Sequence, residues 1–197
     1  MSITDPEVED FEDDYFDKYA FDSESLTNKT FQDCTFKNCR FSHCDFSYSM
    51  FRSCTFENCE FTVIKVNNAG FANCEFTGSR LQGINFSECN GYQFYSDFKE
   101  TIIAHCFFGD MDLNERSFYK CRIKNTEFTK TKLKKANFNE VDFEETMFSD
   151  CNLEKADFSE ARGYTIHPSE NRLRGAIFTY PDVVNLLSPL GIVIKDN

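Results

Sequence analysis

The sequence predicts an all-β fold: a quadrilateral parallel β-helix closed by a short C-terminal capping helix and strand. Three observations predict it. First, a large apolar residue recurs at every fifth position, here called i. One series runs Phe11, Phe16, Phe21, Leu26, Phe31, Phe36, Phe41, Phe46, Phe51, Phe56, Phe61, Val66, Phe71, Phe76, Leu81 and Phe86. A second runs Phe98, Ile103, Phe108, Leu113, Phe118, Ile123, Phe128, Leu133, Phe138, Phe143, Phe148, Leu153 and Phe158. These 29 positions use 21 of the 24 Phe. A helix repeats at 3.6 residues and a half-buried strand at two, so neither produces this period. Second, the residue at i−2 is mostly small. Cys34, Cys39, Cys44, Cys54, Cys59, Cys74, Cys106, Cys121 and Cys151 all stand there, among serines, threonines and alanines. Third, nearly all the charge lies at i−1, i+1 and i+2. One large and one small inward residue in every five describe the side of a square, and four sides make a 20-residue coil. Coils stack at the strand spacing of about 4.8 Å, with the small residues filling the gaps between large ones.

Taken in chain order, residues 1–29 form an acidic segment that keeps the beat at i but not at i−2. There Glu9, Asp14, Tyr19, Glu24 and Lys29 replace the small residues. Unpaired charges inside a coil carry a large desolvation cost, so the regular solenoid is expected to begin near Thr30. The segment before it would be a cap on the first coil or partly disordered. The net charge of −12 resides mainly here, since residues 1–25 hold ten acids against the single base Lys18. Residues 30–162 are the β-helix proper. The step from Phe86 to Phe98 is 12 residues instead of ten, which predicts a two-residue bulge near Gly91. Residues 163–197 hold a last partial coil ending at Phe178, a helix opened by Pro181, and a strand, Ile192-Val193-Ile194, after Gly191. A short apolar strand suits a two-fold contact between chains. Val183, Leu186, Leu187, Leu190, Ile192 and Ile194 are the residues expected to form it, the alternative being that the strand folds back on its own last coil.

Composition narrows the function. No run approaches the roughly 18 apolar residues of a membrane span, and the acidic N-terminus lacks a signal-peptide layout; a cytoplasmic location is expected. Thiols stay reduced there, and the cysteines are spread over coils rather than converging on one point as zinc requires. Packing therefore accounts for them, with no metal and no cofactor. His43, His105 and His167 are far apart, and no nucleophile-elbow, P-loop or zinc-protease motif is present, so no catalytic residue is assigned and no enzyme is expected. What remains is a binding surface. Its candidate acids are Glu57, Glu60, Glu75, Glu100, Glu140, Asp142, Glu144, Glu145, Asp157 and Glu160. Seven bases, Lys120, Arg122, Lys124, Lys130, Lys132, Lys134 and Lys135, form a belt within 16 residues.

The segments Ala136-Asn137-Phe138-Asn139-Glu140 and Ala156-Asp157-Phe158-Ser159-Glu160 resemble the consensus of the pentapeptide repeat family, which implies a right-handed coil. The tail from Arg174-Gly175-Ala176-Ile177-Phe178 through Pro189-Leu190-Gly191-Ile192-Val193-Ile194 is similar to the ending of members that protect bacterial type II topoisomerases. Phe71-Ala72-Asn73-Cys74-Glu75-Phe76 and Leu81-Gln82-Gly83-Ile84-Asn85-Phe86 resemble the albicidin-resistance type. That resemblance implies a homodimeric rod that mimics DNA, engages DNA gyrase or topoisomerase IV, and relieves inhibition by a quinolone or albicidin. Direct nucleic-acid binding is not expected of so acidic a chain, nor is membrane binding. The alternative is an interaction scaffold with no topoisomerase partner, because a fold does not by itself fix a function.

Overall fold

The computed structural model describes residues 3–5, 7–193 and 195. Three-residue strands centred on i pair in parallel with the strand 20 residues on, as in Phe11↔Phe31, Phe36↔Phe56 and Phe41↔Phe61. The chain thus winds through about eight turns of a square solenoid. We call its sides A, B, C and D; coil by coil they carry Phe31, Phe36, Phe41 and Phe46, then Phe51, Phe56, Phe61 and Val66. All 29 residues of the two series are buried. Along the axis their rings stack at the coil spacing, with Phe31 and Phe51 4.7 Å apart and 6° from parallel. Across the coil they meet edge-on, with Phe31 and Phe36 at 5.5 Å and 71°. Both arrangements suit the ring quadrupole, so one residue type satisfies two directions of packing.

Many i−2 residues do more than fill space: where the side chain carries a donor, it commonly donates a hydrogen bond to the i carbonyl of the preceding coil. Cys54 Sγ reaches Phe31 O at 3.4 Å and Cys59 Sγ reaches Phe36 O at 3.3 Å. Thr131 and Thr146 hydroxyls reach Phe108 O and Ile123 O at 2.7 and 3.0 Å, and the Asn171 amide reaches Phe148 O at 2.9 Å. A small side chain with a donor suits the position, which explains why Cys, Ser and Thr dominate it.

This direction corrects the expected start of the coil. Strands at Asp10–Glu12, Tyr15–Asp17 and Ala20–Asp22 pair with the next coil, so the solenoid begins at Asp10 rather than near Thr30. The i−2 side chains point toward the preceding coil, and the first coil has none before it. Glu9, Asp14, Tyr19 and Glu24 are consequently exposed to water, and their charge meets no desolvation cost there. Lys29, one coil in, is buried; its ammonium donates to Asp5 O and Val8 O at 2.8 and 2.6 Å, tying down the segment that carries the buried Ile3.

At the corners outside the Phe86–Ser96 insertion the i+2 residue commonly has a positive φ, between 44° and 63° at 26 non-glycine positions. Near Gly91 the two extra residues are accommodated by two single 3₁₀ turns, Phe86–Glu88 and Gly91–Gln93, capped by the Asn85 and Asn90 side chains. Phe94 then enters face A against Phe71. The register lengthens from 20 to 22, as in Phe76↔Phe98 and Leu81↔Ile103, and returns to 20 at Phe98↔Phe118. At the far end Phe178 stacks on Phe158, and a 3₁₀ helix over Asp182–Leu190 follows, with Leu186 against the core and Gly191 ending it at φ 65°. Ile192 and Val193 form no strand within the chain, and Ile194 lies outside the described residues.

Candidate binding surface

The interior holds no accessible chemistry among the described residues. All ten thiols are free and buried, and burial pushes Cys106 and Cys151 up to about 11 and Cys121 up to about 12. His43, His105 and His167 are exposed at separate places. No group of three or more His, Cys, Asp or Glu among the described residues is placed to hold a metal ion. Whatever this molecule recognises meets its outer surface.

On that surface, residues 20 apart stack in columns along the rod, and opposite charges stack on each other. The Lys/Arg belt is largely neutralised this way. Lys120 pairs with Glu140 at 3.3 Å, Arg122 with Asp142 at 3.4 Å, Lys132 with Asp112 at 3.1 Å and Lys135 with Glu115 at 2.7 Å, while Lys124 pairs closely with Glu144. The Lys135 ammonium holds the Glu115 carboxyl below its ordinary range. Asp142 also takes Arg162 at 3.3 Å. Further up, Lys37 meets Glu57 at 2.9 Å and Arg40 meets Glu60 at 2.8 Å.

The ten candidate acids thereby divide. Glu57, Glu60, Glu140, Asp142 and Glu144 each face a base of a neighbouring coil. Glu75, Glu100, Glu145, Asp157 and Glu160 have no ion pair with a base among the described residues. Four of these five share face B or the corner between B and C: Glu75 and Asp157 at i−1, Glu100 and Glu160 at i+2. The same strip holds two stacks of like charge, Glu75 on Asp97 and Glu140 with Glu160 one coil away. Like charges directly opposite oppose folding, so this strip, like the Asp13–Asp33 and Lys135–Lys155 corners, departs from the opposite-charge pairing common on the rod. The 20-residue spacing of opposite charges was visible in the sequence; the neutralisation of individual acids required the register.

Three exposed tyrosines had no signal in the repeat. Tyr92 projects from the inserted turn at 98% exposure, with Tyr95 beside it on face A and Tyr48 at the D–A corner. Around the C-terminal helix, Leu187, Leu190 and Ile192 are exposed while Val183 and Leu186 are partly covered. Tyr180 and Val193 add exposed apolar surface at the same end.

A sealed aromatic interior and a patterned charged exterior define a β-solenoid repeat protein. The chain belongs to the pentapeptide repeat family: residues 94–158 match its pentapeptide repeat region and residues 26–62 match its eight-copy pentapeptide repeats. Among solved structures it is similar to HetL, a pentapeptide repeat protein involved in heterocyst differentiation regulation from the cyanobacterium Nostoc sp. strain PCC 7120. That match has a TM-score of 0.71 at 13% identity and covers 86% of this chain and 84% of HetL. It is also similar to trypsin-treated QnrB1, a plasmid-mediated fluoroquinolone resistance protein, with a TM-score of 0.64 at 18% identity over 95% of this chain and 98% of that one. At these identities the likeness is one of fold. No curated protein matches the chain significantly.

Proposed function

We propose that this chain is a non-enzymatic, DNA-mimicking protein that binds a bacterial type II topoisomerase, DNA gyrase or topoisomerase IV, and protects it from a drug or toxin such as a quinolone or albicidin. The observation that carries the reading is the strip of unneutralised carboxylates on face B and its corner, Glu75, Glu100, Asp157 and Glu160. An enzyme surface that binds DNA is basic and focuses field toward phosphates. A straight rod bearing carboxylates along one side can occupy such a surface. Eight coils make it roughly 40 Å long, and a C-terminal homodimer would double that reach. The fold shared with QnrB1, a fluoroquinolone resistance protein, is in keeping with this role. A general interaction scaffold is the second reading. It is favoured by the neutralisation of Glu57, Glu60, Glu140, Asp142 and Glu144 and by the fold match to HetL, a protein involved in heterocyst differentiation regulation, at a TM-score above that for QnrB1.

The test is supercoiling by purified gyrase with a fluoroquinolone or albicidin, titrated with this protein. Restored supercoiling by the wild type, lost in the Glu75→Lys, Glu160→Lys double variant, is the expected result. Folded protein that affects neither gyrase nor topoisomerase IV would leave the scaffold reading in its place.

A further inference from the structure

We infer that the C-terminal part of face A is a second interaction surface, built to take an acidic protein segment. In the last three coils this face and its corner carry Lys132, Lys134, Lys135, Lys155, Arg172 and Arg174, all exposed. Isolated bridges run Lys132↔Asn152↔Arg172, and Lys135 N and Lys155 N donate to Glu154 O and Arg174 O, so these side chains occupy adjoining coils of one surface. Glu154 is the one acid among them.

Two features mark this patch. Lys132 and Lys135 pair with Asp112 and Glu115, and Lys134 and Arg174 flank Glu154 in one column, but Lys134, Lys155, Arg172 and Arg174 make no ion pair among the described residues, so four unpaired bases gather on one face. Lys135 and Lys155 also stand one above the other, the one stack of two bases in the described columns. Such a stack costs stability, and a glutamate at Lys155 would remove the cost. The corner position accepts one, since Glu115, Glu140, Glu145 and Glu160 hold the same left-handed backbone. The sequence keeps a repulsive base where the fold would gain from an acid.

The acidic first coil does not cancel the patch. Six coils separate them, roughly 30 Å, against a screening length of about 8 Å at physiological salt. The occupant follows from what lies within the surface. No aromatic side chain stands among the six bases to stack on a nucleobase, a common anchor for single strands. Glu154, in the middle, faces any continuous run of phosphates, whereas discrete carboxylates on a protein can be placed around it. The partner is therefore an acidic protein segment, and this surface stands independently of the topoisomerase reading.

The experiment measures binding of a fluorescein-labelled glutamate-rich peptide to the full chain by anisotropy. A short DNA duplex is run in parallel, and sedimentation of the protein alone is followed at low salt. Peptide binding that weakens about tenfold or more in the Lys155→Glu, Arg174→Glu double variant, and not in Arg80→Glu on face C, is expected. Lys155→Glu alone should raise the melting temperature while lowering affinity, a split that loss of folding cannot produce. Unchanged peptide binding in the double variant would overturn the proposal. So would patch-dependent preference for the duplex, or salt-sensitive self-association through the patch, which would make the occupant a second copy's acidic coil.

Discussion

At the level of the residue, the i−2 position joins two demands that are hard to meet together, small volume and a hydrogen-bond donor. Cys106 shows the consequence. Its thiol donates to Leu81 O across the bulge, at an offset of 25 residues instead of the usual 23, so the interaction survives the two-residue insertion. Burial raises this thiol to about 11, as it does Cys151, while Cys121 reaches about 12 and Cys44 is also raised. An unfolded thiol ionises near 8.5. The unfolded chain thus releases these protons first as pH rises, and stability that is fully present below about pH 8.5 is lost on the way to pH 11. For one thiol the loss at pH 10 is about 1–2 kcal/mol. Urea unfolding should therefore show a steep fall in stability between pH 8 and 10. Cys106→Ser, which keeps a donor but cannot ionise, should fall less over that range by one thiol's share. Equal slopes for the two proteins would mean that Cys106 titrates as freely folded as unfolded.

At the level of the coil, the corner sets the local energetics. A regular i+2 residue takes a left-handed backbone, which glycine adopts freely and asparagine tolerates. Asn28, Asn38, Asn58, Asn68, Asn73 and Asn125 fit this requirement, whereas Val63 is held there at φ 50°. A β-branched residue in this region is strained by about 1–2 kcal/mol. Val63→Asn should raise stability by about 1 kcal/mol, seen as a higher denaturation midpoint with unchanged m-value; a lower midpoint would show that Val63 makes compensating contacts. The corner also explains what could be read in advance. Phe31, Phe36, Phe41 and Phe46 at intervals of five reveal the square coil and its interior without any structure. The corner conformation was hidden because its residues are so mixed, with Asp13, Lys18, His43, Val63 and Glu100 among them. The first coil was misjudged for a directional reason: nothing in the sequence says that i−2 side chains lean toward the coil before. The acidic strip was half legible. Its acids stood out, yet only the 20-residue register separates Glu75 and Glu160, which lack a base, from Asp142, which has two.

At the level of the whole molecule, the two ends of the rod are built oppositely. The first coil presents open strand edges ringed by Asp10, Glu12, Asp13, Asp17 and Asp22, and like charges on an edge oppose end-to-end pairing. The other end is apolar, with Tyr180 81%, Leu190 66% and Val193 84% exposed. Apolar side chains exposed together at one end of a rod suit a contact site, and a self-complementary patch there closes after two copies. Leu186 and Leu190 differ in a way that makes this testable. Leu186 packs against the core, so replacing it would damage the fold, whereas Leu190 reaches outward. The wild type is therefore expected to sediment as a dimer at micromolar concentration, and Leu190→Glu as a monomer with an unchanged circular dichroism spectrum. A wild type that is monomeric throughout would show that the apolar end serves its own chain. A variant that remains dimeric would place the contact on a flat face instead, where the charge columns rather than the tail would have to bring the two rods together.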